Sequence, residues 1–210
     1  MASGGDWLQL CTDRLGDDMA SLDVKEELHS YLRGARETLV WKLDGLSEYD
    51  IRRPLTPTGT NLLGLVKHST ATELGYFGEV FRRSSHSLGE GLSGDAGPAA
   101  EFWVTPDESR ADIVDGYRDA WDFSDATISE LALDAVGEVW WWGDAPVTLH
   151  HILVHVTAET QRHAGHADIV RELIDGSVGL LNGAASLHIS GTAEQRQFRD
   201  QVEAAAAKFR

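Results

Sequence analysis

The sequence predicts an all-α protein, a four-helix bundle with a short additional helix near its C-terminal end. Three observations carry that expectation. Apolar residues recur at intervals of three and four along four long stretches, the period of a helix with one buried face. No segment between them alternates apolar and polar residues as a half-buried strand does. The connections are long and rich in Pro, Gly and Ser, which interrupts the helical pattern between stretches.

The first helix begins near Asp23 and carries Val24, Leu28, Tyr31, Leu32, Ala35, Leu39, Leu43 and Leu46 at helical spacing. The linker SEYDIRRPLTPTGT follows, and its two prolines and glycine forbid a continuous helix. Thr60 or Asn61 can cap the second helix, which runs from LLGLVKHSTATEL to about Arg82. A surface loop rich in Gly, Ser and Ala comes next, with Phe102 and Trp103 as its ordering residues. The third helix has the strongest start signal: Thr105 as cap, Pro106 in the first position and Glu108 to close a capping box. Its stripe is Ile113, Tyr117, Ala120, Trp121, Ile128 and Leu131. Three consecutive tryptophans, Trp140 to Trp142, break the pattern and are expected to plug the core. The fourth helix starts near Thr148 and stops at Asp175, where Gly176 suits a left-handed cap. The tail EQRQFRDQVEAAAAKFR reads as a short fifth helix. One domain spanning 1–210 is expected, with its core in 23–176 and 177–210 as an extension.

With a net charge of -16, the chain lacks the basic surface that nucleic acid or an anionic membrane requires. No run approaches the ~18 consecutive apolar residues of a membrane span. The N-terminal stretch lacks the basic start and apolar run of a signal peptide, so a cytoplasmic protein is expected. A single cysteine, Cys11, excludes an internal disulfide and a paired-cysteine metal site.

The informative anomaly lies in the fourth helix. Its apolar stripe runs Leu149, Ile152, Val156, Glu159, His163, Ala167, Val170, Ile174, with a carboxylate and an imidazole at its centre. A buried charge is costly unless paired. The two could pair with each other by a hydrogen bond, or both could bind one metal ion. Side chains at i and i+4 project to the same side, with Cβ atoms roughly 5–6 Å apart. A site with an open position needs a third ligand from another helix, and His68 on the second helix is the best candidate. His151 and His155 form a competing pair at the same spacing, so a site of His151, His155 and His68 is also conceivable. His155 lies about 100° round from the stripe centre at Val156, which puts it at the rim. His166 lines the mouth and His86 sits in the exposed loop. Arg52–Arg53 and Arg82–Arg83 are rare basic spots on an acidic chain, and solvated helix ends are the expected reading over an anion site.

The segments RRPLTPTGTNLLGLVKH and TLHHILVHVTAETQRHAGHADIVRELIDG resemble the DinB-like superfamily of metal-binding four-helix bundles. Within it the chain is most similar to the actinobacterial branch that includes mycothiol-dependent enzymes, over roughly residues 25–176. The resemblance implies metal ligation by His68, Glu159 and His163, and so sets His151 and His155 aside as ligands. It implies a divalent ion, zinc first and nickel or iron as alternatives, because His and Glu do not discriminate among them. It implies mycothiol as thiol cosubstrate, activated at the metal for attack on a small-molecule electrophile, with His155 or His166 shuttling a proton. The tail is too short for the separate α/β region of the maleylpyruvate isomerases, which favours a general S-transferase. A homodimer is expected, since bundles of this type often pair. Two other readings stand beside it: a non-catalytic, metal- or small-molecule-binding stress-response bundle, and a metal-dependent hydrolase with water in the open position.

Overall fold

The computed structural model of the chain describes residues 23–84, 100–143, 146–180 and 193–210. Four long helices build the bundle: α1 (Val24–Trp41), α3 (Leu62–Glu73), α4 (Arg110–Glu130) and α5 (Leu149–Asp175). A five-residue α2 (Glu48–Arg52) sits in the first linker, and α6 (Ala193–Ala206) follows the bundle with no buried residue. Each main helix begins on a side-chain cap: Asp23, Asn61, Ser109 and Thr148 accept from backbone N–H groups of their first turns. Gly176, at φ 78°, ends α5 in the left-handed conformation its sequence position suggested.

Specific contacts fix the directions of the helices. Arg110 near the start of α4 reaches the Leu46 carbonyl just past α1, and Asp125 near the end of α4 meets His29 near the start of α1. These two helices are therefore antiparallel. Leu32 clusters with Leu149, Ile152 and Val156, while Leu39 and Leu43 cluster with Ala167 and Val170, so α1 and α5 run parallel. On α3, His68 lies against His163 and Tyr76 against His155, which makes α3 and α5 antiparallel. The order is up, down, down, up. Parallel α3 and α4 require the chain to return along the bundle between them, and residues 100–109 are the described end of that return.

The core consists of two apolar clusters, around Phe77, Ile128 and Leu153 at one end and around Leu39, Leu63 and Tyr117 at the other. Each fully buried aliphatic contributes roughly 1.5–3 kcal/mol relative to exposure. Arg36 of α1 and Glu73 of α3, each 1% exposed, form a two-pronged ion pair at 2.7 and 2.8 Å in the bundle interior. Arg36 also reaches Asp125 of α4 at 2.7 Å, so one guanidinium ties three helices together. After Gly176 the chain turns back over the end of α1. There Lys42 donates to the Gly179 carbonyl and pairs with Asp168, and the Trp41 indole donates to the Leu180 carbonyl.

Several expectations need correction. Helix α4 starts at Arg110 with a Ser109–Asp112 capping box, five residues past the expected cap. Thr105 and Glu108 do pair as anticipated, with the Glu108 carboxylate accepting from the Thr105 N–H, but they close a separate turn. The second helix loosens and then tightens: α3 passes into a π-helical turn at Leu74–Gly78, then a 3-10 turn ending at left-handed Arg82. A two-stranded antiparallel ribbon, β1 (Val136–Glu138) with β2 (Pro146–Thr148), was not expected. Three residues per strand are too few to show an alternation. The tryptophans between these strands form a 3-10 turn in which Trp140 and Trp142 are exposed and Trp141 alone packs, half-buried, against the core.

Candidate metal centre

Helical phase sets out the donors on α5. Positions Ile152, Val156, Thr160, His163, Ala164 and Ala167 are buried, and Glu159 is half-buried at the edge of that face. The stripe thus passes through Thr160, whose hydroxyl donates back to the Val156 carbonyl, and leaves the Glu159 carboxylate in the groove between α3 and α5. His163 Nε2 lies 3.0 Å from a Glu159 oxygen. Across the groove, two turns into α3, the His68 ring approaches His163 at 4.8 Å between centroids, nearly edge-on. One donor atom each from His68, Glu159 and His163 lie within 4.8 Å of one another. Two imidazoles and a carboxylate suit zinc, nickel or iron(II), and three ligands leave a position open.

The nitrogens that point away from the cluster are engaged. His68 Nδ1 meets the Glu101 carboxylate at 2.8 Å, which turns Nε2, with the Thr72 hydroxyl 3.4 Å away, to the cluster side. His163 Nδ1 lies 3.4 Å from His166 Nδ1. A histidine whose remote nitrogen is held has a fixed tautomer and ring orientation, the arrangement usual behind metal-bound imidazoles. Burial, reinforced by neighbouring His68, pushes the His163 imidazole below its ordinary range, with Glu159 opposing. Neutral imidazole is the form that binds metal.

Glu101 arrives on the returning connection. Its 3-10 turn, Ala100–Phe102, lies across α3, with the Phe102 ring stacked on His68 at 4.1 Å and 18°. Gly64, one turn before His68, permits the crossing, because a Cβ there would collide with the Phe102 carbonyl oxygen. Lys67 pins the strap from the other side by donating to the Trp103 carbonyl and to Glu108.

A family model described as mycothiol-S-transferase matches residues 27–176 of this chain. The chain belongs to that family. Its fold is similar to a crystal structure of a conserved protein from Enterococcus faecalis, at a TM-score of 0.56 and 18% identity, covering 75% of this chain and 100% of that one. No curated protein matches. Membership in the mycothiol S-transferase family carries a transferase-like function with a small-molecule thiol as partner. Among the described residues, no helix is long and apolar enough to cross a membrane.

Of the residues singled out in this family member's sequence, His68, Glu159 and His163 come together. His155 lies one turn from Glu159, and its Nε2 meets the Tyr76 hydroxyl at 3.1 Å. Burial holds the His155 imidazole low, against the pull of Glu159. His166 is exposed beside His163, and exposed His151 faces Trp142. The basic pairs are occupied: Arg52 with Glu48 and two carbonyls, Arg53 with Asp50, Arg82 with Glu138, Arg83 with Glu130. Cys11 and His86 lie outside the described residues. Two side chains escaped sequence reasoning. Glu101 was visible only as the acidic residue beside the aromatic pair Phe102–Trp103. Tyr76 could have been found from pairing: on antiparallel helices, moving eight residues forward from His68 corresponds to eight back from His163, which opposes Tyr76 and His155.

Proposed function

We propose that this family member is a divalent-metal-dependent mycothiol S-transferase, with His68, Glu159 and His163 as metal ligands and zinc as the first-choice ion. One observation carries the reading: three donors of suitable chemistry converge from two helices, and both imidazoles are backed at their far nitrogens by Glu101 and His166. A bound divalent ion supplies a Lewis-acid position that favours a thiolate over a thiol at neutral pH. The residues do the rest. Glu101 and Phe102 hold the His68 ring in place, and the strap covers that side of the groove. His166 flanks the triad as a candidate proton carrier, and His155 flanks it one turn before Glu159. In the transfer itself, the thiol sulfur bonds to an electrophilic carbon, the displaced group leaves with its electron pair, and the thiol proton passes to solvent.

The test combines composition and turnover. Purified protein is expected to hold about one zinc per chain, to gain thermal stability on zinc addition, and to conjugate mycothiol to monochlorobimane. Glu159→Ala and His163→Ala should lose both the metal and the turnover. Full zinc occupancy with no turnover of any thiol supports a binding protein instead, and hydrolysis independent of thiol supports a hydrolase. A protein that neither contains nor binds zinc overturns the centre.

A further inference from the structure

Two turns of helix from the ligand triad, Tyr76 occupies the π-helical turn that continues α3, and its side chain is almost fully covered. Its hydroxyl has the indoles of Trp141, Nε1 at 3.4 Å, and of Trp142 as neighbours, together with His155 Nε2 at 3.1 Å. The donor inventory decides how these bonds run. An indole N–H only donates, so Tyr76 oxygen accepts from Trp141. The hydroxyl still has one hydrogen to place, and among the described residues His155 Nε2 is the acceptor within reach. Were His155 instead protonated at Nε2, its N–H would join the indole donors at the Tyr76 oxygen, and the hydroxyl hydrogen would be buried without a partner. A buried donor left unsatisfied costs roughly 1–3 kcal/mol.

We propose that Tyr76 is a positioning residue whose hydroxyl fixes His155 as the neutral imidazole carrying its hydrogen on Nδ1, so that His155 faces the substrate as a hydrogen-bond donor and not as a base. This rests on the reading of His68, Glu159 and His163 as the reacting centre. Free imidazole side chains favour hydrogen on Nε2, so the assignment is a specific consequence of this contact. The Nδ1–H group has no partner among the described residues. His155 shares its helix face with Glu159 one turn away, and Trp142, exposed to about 40%, stands against the His155 ring at 4.5 Å and 75°. The corner therefore offers one N–H beside an accessible indole. It suits a flat, apolar electrophile with a hydrogen-bond acceptor, such as a carbonyl oxygen, next to its reacting carbon. The thiol proton then has no route through His155, because Nε2 is occupied by Tyr76.

The experiment is long-range 1H–15N spectroscopy of the imidazoles in the full-length 15N-labelled protein at pH 7.5. His155 is assigned by the signals lost in His155→Gln. In the wild type it should show hydrogen on Nδ1, and in Tyr76→Phe it should switch to hydrogen on Nε2. An imidazolium or an Nε2–H tautomer in the wild type overturns the proposal, and so does an unchanged tautomer in Tyr76→Phe. If Tyr76→Phe does not fold, the wild-type spectrum alone decides. These signals are read without any turnover, so they stand or fall separately from the transferase reading. Where turnover is found, Tyr76→Phe should lower kcat about a hundredfold for a carbonyl-bearing electrophile, near the low end for a positioned proton donor. The KM for the thiol should stay unchanged, and a rise in that KM with kcat retained also counts against the assignment.

Discussion

Removing the Glu101 carboxylate should weaken metal binding without unfolding the bundle. Glu101→Ala deletes the 2.8 Å contact to His68 Nδ1, while the His68 ring keeps its stack on Phe102 and its place on α3. Loss of such a supporting partner commonly lowers metal affinity 10- to 100-fold, which is about 1.4–2.8 kcal/mol. The Glu101 side chain is 26% exposed, so water can replace part of the lost acceptor, and the lower end applies. A tenfold weaker zinc affinity is therefore expected for Glu101→Ala. Glu101→Gln, which retains a neutral acceptor, should lose less. Competition with a chromophoric chelator at fixed pH reads the affinity, and circular dichroism verifies that helix content is unchanged. If Glu101→Ala binds zinc within about twofold of wild type, the carboxylate does not orient a ligand. If His68→Ala also binds as wild type, His68 is no ligand at all.

Three other outcomes follow from the same structure. Gly64→Ala should lower zinc affinity about as much as Glu101→Ala, because its Cβ displaces the strap at the Phe102 carbonyl; Gly34→Ala, which meets open space, should leave the titration unchanged. Arg36→Met leaves Glu73 buried and uncompensated, so denaturant unfolding should reveal a loss of about 3–5 kcal/mol, and Arg36→Met combined with Glu73→Leu should regain most of it. Burial pushes the Asp125 carboxyl up, but His29 and Arg36 outweigh it and hold it below the usual range. With a folded value below the unfolded one (about 3.9), its stabilisation is present above that pH and is lost as pH falls through the folded value. The stability gap between wild type and Asp125→Asn should thus narrow as pH falls below about 4, through the folded value.

What was legible in the sequence is what local periodicity controls. The buried faces of α1, α4 and α5 follow from apolar spacing, and Gly176 marks the end of α5 because few other residues tolerate its φ. Two of the three donors sit on one helix, so spacing alone could pair Glu159 with His163. Adding His68 required a choice of helix face, which the family's motif strengthened. Phase errors had modest consequences: Glu159 lies at the edge of the stripe and Thr160 inside it, yet both alternatives place the carboxylate toward α3. The misplaced start of α4 has a similar origin. The Glu108 carboxylate accepts from the Thr105 N–H as expected, but Ser109 and Asp112 form a full capping box four residues later, and only the second leads into continuous helix.

The illegible part shares one cause, which is topology. A bundle whose second and third long helices run parallel must send a connection back along its full length. That connection has no apolar period to read, and its described turn, Ala100–Phe102, is shaped by the helix that it crosses. Yet that turn approaches α3 from outside and supplies the carboxylate behind His68. The strap's backbone crosses at Gly64, its aromatic ring covers His68, and its carboxylate reaches Nδ1. The ribbon carrying Trp141 and Trp142 does the corresponding work at the other end, against Tyr76 and His155. Helix faces therefore supply the donors, and the connections between helices orient them. In a bundle with this chain order, the residue that tunes a helix-borne histidine is to be sought in the long crossover, as an acidic side chain beside an aromatic one.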